Sequence, residues 1–291
     1  MDFCTVRMGM LDLYNRFSGA LVRAVLVVIL IIMPTLLLPR GTQDSFQMLT
    51  LVAIFAAIFT VVEYSSNSPS LIEFRDAPPF NRVRFFTLFA TVLCLAVIFR
   101  GYMLPSPLTD FFQNIGSSIG QAIDFPYSPV RLMVLLLHDD SSPATVLRLR
   151  DAAGLSYVVS ILAIAWFVIL LRVQQWPMGN GPFNLWVNLP TFDPAAGGDV
   201  VERLERDGRI NVVLGFLLPF LVPAVLKLAA NLGVPVRLDD TQTLIWMVTA
   251  WAFLPASILM RGVALSRVAQ MIRQQRAMSY DSSASSGAVS L

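Results

Sequence analysis

The stretch AAGLSYVVSILAIAWFVILL, Ala152–Leu171, runs for twenty residues without a charge, between Asp151 and Arg172. A hydrocarbon core about 30 Å thick takes about 20 apolar residues per helical crossing, at a rise of about 1.5 Å each. The stretch therefore reads as a membrane span, and the same test applied outward finds five more. The six predicted spans are about 20–38, 46–62, 85–104, 152–171, 210–232 and 243–260. Composition agrees: 56% of the 291 residues are hydrophobic and 14% charged, against about 25% charged in a soluble domain. Helices are the expected spanning form, because lipid offers no partner to an open backbone and the period-two pattern of a barrel is absent. The fold class predicted is thus all-α, a polytopic membrane bundle. Residues 1–278 form a single integral membrane domain, and the Ser-rich tail 279–291 is expected to be disordered.

The ends of the spans set an orientation. With the N-terminus inside, the inner side carries 14 arginines: Arg7, Arg16, Arg23, Arg75, Arg82, Arg84, Arg172, Arg203, Arg206, Arg209, Arg261, Arg267, Arg273 and Arg276. The outer side carries seven basic residues: Arg40, Arg100, Arg131, Arg148, Arg150, Lys227 and Arg237. The positive-inside rule then puts both termini in the cytoplasm, as an even number of crossings requires. Basic residues are 20 Arg to one Lys, a bias that fits GC-rich coding and points to a bacterial cytoplasmic membrane. The first apolar run follows a long N-terminal stretch and lacks a small-x-small cleavage site, so it is read as a retained span. A net charge of +2 gives no excess for a polyanion, and nucleic acid is not an expected partner. Cys4 and Cys94 lie too far apart along the topology for a disulfide framework.

The connecting segments have distinct characters. The inner loop 64–84 is polar and Pro-punctuated. In the outer loop 105–151, Leu108, Phe111, Phe112, Ile115, Ile119 and Ile123 recur at helical spacing, which predicts an amphipathic helix against the outer leaflet or over the bundle. Gly116 and Gly120 give that helix a small-xxx-small pair. Val130–Leu137 is too short to cross and reads as a packed surface helix. The inner loop 173–209 sets Trp176, Phe183, Trp186 and Phe192 among Pro and Gly, a composition suited to the interface. It then predicts a short helix that Asp199 and Glu202 cap, Glu202 and Arg206 brace, and Gly208 closes. Past Arg261 a basic helix is expected to about Met278, where anionic lipid is one candidate contact. No internal repeat is visible.

The chemical inventory is sparse. The single histidine, His138, lies in the outer loop, so paired haem ligation and Ser/His/Asp or Cys–His catalysis have no basis. No carboxylate falls at mid-span; Glu63 is nearest, at the inner end of the second span, where Tyr64 and nearby arginines are expected to satisfy it. The doublets Asp139-Asp140 and Asp239-Asp240 project outward; a lone doublet beside Thr241 reads as a helix N-cap rather than a metal cradle. Gly179-Asn180-Gly181 precedes Pro182, not a phosphate-binding helix. No catalytic residue, cofactor or metal is expected. Lys227 is the one clear charge well inside a span rather than close to its end, beside Pro219 and Pro223, which break the hydrogen-bond ladder and free carbonyls; these three are candidate solute or lipid contacts.

The expectation for function is accordingly a non-catalytic accessory or assembly subunit. Its partners would be the lipid bilayer and other membrane proteins, and Trp176, Phe183, Trp186, Phe111 and Phe112 are its candidate contacts. The alternatives are a small carrier or channel for a neutral or lipidic solute through the Pro-broken fifth helix, and a lipid-modifying enzyme using the outer acidic doublets.

Overall fold

The computed structural model describes residues 3–39, 43–137, 141–177, 183–193, 195, 197–232 and 240–288. Among them every regular element is a helix. These are α1 (Phe3–Leu37), α2 (Gln43–Ser65), α3 (Phe80–Gly101), α4 (Pro107–Ile123), α5 (Pro129–Val134), α6 (Pro143–Val173), α7 (Leu185–Asn188), α8 (Val200–Asn231) and α9 (Thr241–Ala288). Six of them, α1, α2, α3, α6, α8 and α9, are long and apolar enough to cross a membrane. These are the six spans read from the charge-free runs.

Most of the spans sit in a longer helix than their apolar run, whereas α3 starts ahead of the expected 85–104 and ends at Gly101, short of Leu104. A repeated local signal sets several starts: Ser106-Pro107, Ser128-Pro129 and Ser142-Pro143 each place a Ser hydroxyl as N-cap and a Pro at the first helical position. Proline fits there because that backbone N–H has no helical partner, and each Ser cap is worth about 1 kcal/mol over Ala. Asp240 caps α9 in the same way, accepting from the Thr243 N–H at 2.7 Å and hydroxyl at 2.8 Å.

Two expectations are corrected. The short helix opened by Asp199 does not close at Gly208; it continues into the fifth span as one helix, α8. The sixth span and the basic helix are likewise one helix, α9, which runs from Thr241 to Ala288. Once a helix is nucleated, each further residue adds one hydrogen bond, so a weak sequence can be carried along. α4 packs on α6 through its small residues, one of the uses that the Gly116–Gly120 spacing allows. Thr109, Gly116 and Gly120 face inward, while Leu108 and Phe111 are exposed and Ile123 packs against the core. A Cβ on Gly154 would fall 2.6 Å from the Gly120 Cα, so the two backbones touch. Val130, Met133 and Leu136, in and just after α5, are buried in the core, which makes that segment the packed helix that its length predicts.

Two apolar clusters fill the interior. One lies among α1, α3, α5, α6 and α9 around Leu95, Met133, Leu149 and Trp251; the other is built on Phe74, Phe80, Phe167, Leu171, Leu204 and Met260. The α1–α2 hairpin and α8 leave long rows of Leu, Val, Ile and Phe open, for which hydrocarbon is the natural solvent.

The α8–α9 pair crosses at its glycines. A Cβ on Gly262 would lie 2.6 Å from the Gly208 carbonyl oxygen, and one on Gly215 would lie 2.7 Å from that of Pro255. Gly208 thus serves close approach instead of chain termination. Gly262→Val is expected to force the helices apart and destabilise the protein by about 1–3 kcal/mol, the usual range for overpacking. Thermal unfolding in detergent reads this as a lower Tm. Gly197→Ala, whose Cβ would meet nothing within 4 Å, is expected to leave Tm unchanged. An unaltered Tm for Gly262→Val would contradict the crossing.

Candidate functional site

The end of the bundle that bears Arg16, Arg172 and Arg261 gathers the loop between α2 and α3, the turn after α6, α7 and the polar halves of α8 and α9. Its organisation starts with Glu63, in the last turns of α2. This buried carboxylate accepts the backbone N–H groups of Ser70 at 3.1 Å, Leu71 at 3.1 Å and Ile72 at 3.2 Å, together with the Ser70 hydroxyl. Arg75 does not pair with it. Its Nη1 donates to the carbonyls of Glu63 at 3.0 Å and Ser66 at 2.5 Å. The expectation that Tyr64 and nearby arginines satisfy Glu63 is therefore corrected. Tyr64 lies under the Arg23 guanidinium, 4.6 Å from its ring centroid, and the carboxylate is held by amides. A run of three N–H donors suits a carboxylate, and Arg75 takes carbonyls at the end of α2 that lack helical partners.

Glu73 is the second anchor, and nothing local in the sequence marks it. Arg261 of α9 donates to it through Nε at 2.6 Å and Nη2 at 2.7 Å, and the Thr191 hydroxyl adds a third bond at 2.8 Å. Asn81 donates to the Glu73 carbonyl at 2.8 Å. Asn188 at the end of α7 takes the backbone N–H of Phe74 on its carbonyl at 2.6 Å and that of Asp76 on its Oδ1 at 3.1 Å. Two loops far apart in sequence are thus tied to each other and to α9. Phe74 lies at φ 52, a left-handed conformation unusual for a bulky residue. Its ring is 0% exposed, 4.6 Å from Phe80 and 5.7 Å from Trp176 between centroids, and this burial offsets the local strain.

The candidate contacts read from the sequence divide between interior and surface. Trp176 is buried, 3% exposed, and Phe183 is half-buried against it. The cause lies at the end of α6. Trp176 N–H bonds to the Leu171 carbonyl at 3.1 Å and Gln175 N–H to that of Arg172 at 3.3 Å, with Gln175 at φ 47. This is a Schellman ending, which folds the chain back so that Trp176 packs with Leu171. Trp186, on α7, remains 63% exposed. On α4, Phe111 is exposed and Phe112 half-buried, edge to face with each other.

Pro219 and Pro223 are buried in α8. Pro223 has no N–H to give the Pro219 carbonyl, and Trp251 of α9 supplies one through Nε1 at 3.0 Å. The carbonyl freed by Pro223 therefore meets protein instead of lining a cavity. Lys227 Nζ reaches the Leu137 carbonyl at 3.4 Å. Arg100, in the last turn of α3, donates to the Leu37 carbonyl at the end of α1 at 3.0 Å. His138, Asp139, Asp140 and Asp239 lie outside the described residues.

Among the described residues, three carboxylates inside the bundle are engaged: Glu63 by amides, Glu73 by Arg261, and Asp151 by Arg150 at 2.8 Å. Among the described residues no group of three or more His, Cys, Asp or Glu comes together. The Asp199 carboxylate, N-cap of α8, takes a hydrogen bond from Arg276 at 2.7 Å and one from the Val201 N–H at 3.2 Å, which hold its pKa below the usual carboxylate value. Its contribution is present above the ordinary carboxylate pKa and lost as pH falls through the lowered one. Arg276→Gln is expected to move the Asp199 pKa upward, read by carboxylate NMR titration; an unmoved pKa would contradict the pairing.

Breaking the Glu73–Arg261 pair on one side leaves a charge half out of water, a loss of roughly 2–3 kcal/mol after discounting the partial exposure of Arg261. In a double-mutant cycle of Glu73→Gln and Arg261→Gln, both single variants are expected to lower stability and the double to lose less than their sum. Strict additivity would contradict a direct pair. No family model, no curated protein and no solved structure matches this chain, so its site is read from its own geometry alone.

Proposed function

We propose that this protein is a non-catalytic accessory or assembly subunit of a bacterial cytoplasmic membrane complex, acting through contact with other membrane proteins. The observation that carries the reading is the fastening of the two loops at the basic end. Glu63, Glu73, Asn188 and Arg261 spend their polar groups on holding these loops in place, and Trp186 is left open on the resulting surface. A pre-ordered surface loses little entropy on binding, and an exposed Trp is a frequent centre of binding energy. The carrier alternative draws no comparable support, since the Pro219 carbonyl is occupied by Trp251. Arginine asymmetry supports a cytoplasmic location for the basic end and both termini.

The protein extracted in mild detergent is expected to co-purify stoichiometrically with a larger membrane protein or complex. Trp186→Ala should weaken that association about tenfold or more while leaving Tm unchanged. Recovery of the wild type as a lone monomer would overturn the proposal. For topology, a reporter fused after Leu291 should be active only in a form that works in the cytoplasm; activity of a periplasm-dependent reporter would reverse the orientation.

A further inference from the structure

The same end holds a cavity of about 310 Å³ between the turn after α6 and the inner half of α9. Arg172, Gln175 and Trp176 line it from the turn, and Arg267, Gln270 and Gln274 from the helix. We propose that this cavity binds a phosphoryl group, as a phosphate ester or free phosphate. The proposal concerns a ligand site and stands apart from the partner contact inferred above.

Charge is the first argument. Arginines nearby are matched to carboxylates: Arg261 to Glu73 at 2.6 Å, Arg273 to Glu205 at 2.5 Å and Arg276 to Asp199 at 2.7 Å. Among the described residues, Arg172 and Arg267 have no carboxylate partner, and both face this one cavity. Among the described residues, Arg267 makes a single side-chain bond, from Nη1 to Gln270 Oε1 at 3.2 Å. Two guanidinium groups around one concavity repel each other unless an anion sits between them. Their planar forks match phosphate oxygens in pairs.

The second argument is a donor without an acceptor. Trp176 is 3% exposed, and among the described residues its indole N–H has no hydrogen-bond partner. A buried unpaired donor calls for an explanation. Trp176 lines this basic cavity, and an anion bound there supplies the acceptor once the indole edge turns toward it. Gln175 adds to this: at φ 47 a glycine would avoid the strain, and the residue present brings an amide to the cavity wall.

Depth fits the chemistry. Arg172 is the first charge after the apolar run that ends at Leu171, which puts the cavity at the level of phosphate headgroups. A headgroup and a soluble phosphate present the same group, and experiment separates them.

Thermal unfolding of the full-length protein in neutral detergent is measured with phosphatidylglycerol, with diacylglycerol as the phosphate-free lipid, and with inorganic phosphate against chloride of equal ionic strength. Phosphatidylglycerol is expected to raise Tm and diacylglycerol to leave it unchanged. A rise with the lipid alone assigns a headgroup; a rise with inorganic phosphate as well assigns the phosphoryl group itself. Arg172→Gln and Arg267→Gln should each weaken the half-saturating concentration about tenfold. Trp176→Phe, which keeps a ring in the core, should weaken it several-fold. Arg206→Gln, an exposed charge outside the cavity, should leave it unaltered. No rise with either phosphate source, or an equal rise in the Arg172→Gln/Arg267→Gln double variant, would overturn the proposal.

Discussion

In hydrocarbon a backbone polar group without a partner costs several kcal/mol, and the places where helices end or meet proline are where such groups arise. This protein meets them with side chains from distant elements. Trp251 answers the carbonyl that Pro223 leaves open at Pro219, and Arg100 answers the end of α1 at Leu37. Arg75 answers the end of α2, and Glu63 gathers the N–H groups of the loop that follows. Each bond also fixes one element against another, so satisfying the backbone and assembling the bundle are one process.

Close approach does the rest. Lipid gives apolar side chains little reason to prefer one another, and helix pairing then depends on shape. Gly208, Gly215 and Gly262 bring α8 onto α9, and Gly120 and Gly154 bring α4 onto α6. Tight packing leaves the polar halves of α8 and α9 side by side beyond the apolar zone. There Arg273 meets Glu205, Arg276 meets Asp199, and Arg261 is in place for Glu73. The ordered surface at the basic end is thus a consequence of packing deeper in the bundle.

The spans were legible because lipid imposes a length and a composition that a charge-free run such as 152–171 meets on its own. The Ser-Pro caps at Ser106, Ser128 and Ser142 are local signals too, but the length and composition of the spans make no use of them. The face that α4 turns to the bundle was legible only as alternatives: its apolar stripe and its Gly116–Gly120 spacing each offered one, and the backbone contact at Gly120 is the one formed. Gly208 was ambiguous in the same way, since a glycine serves a helix end and a helix crossing alike. Glu73 and Arg261 stand 188 residues apart, and only the fold brings them together. Trp176 was visible as an aromatic, but its burial depends on the turn at Gln175 that folds it inward.

The central claim is that the loop after α2 is fixed by a buried carboxylate and not merely tethered between helices. Hydrogen–deuterium exchange on the protein in lipid nanodiscs tests this at the amides of Ser70, Leu71 and Ile72, which have no helical partner and donate to Glu63. The account predicts exchange at these amides slowed by orders of magnitude relative to an open loop, with the protection removed by Glu63→Gln. Exchange at the rate of an unstructured peptide in the wild type would contradict it.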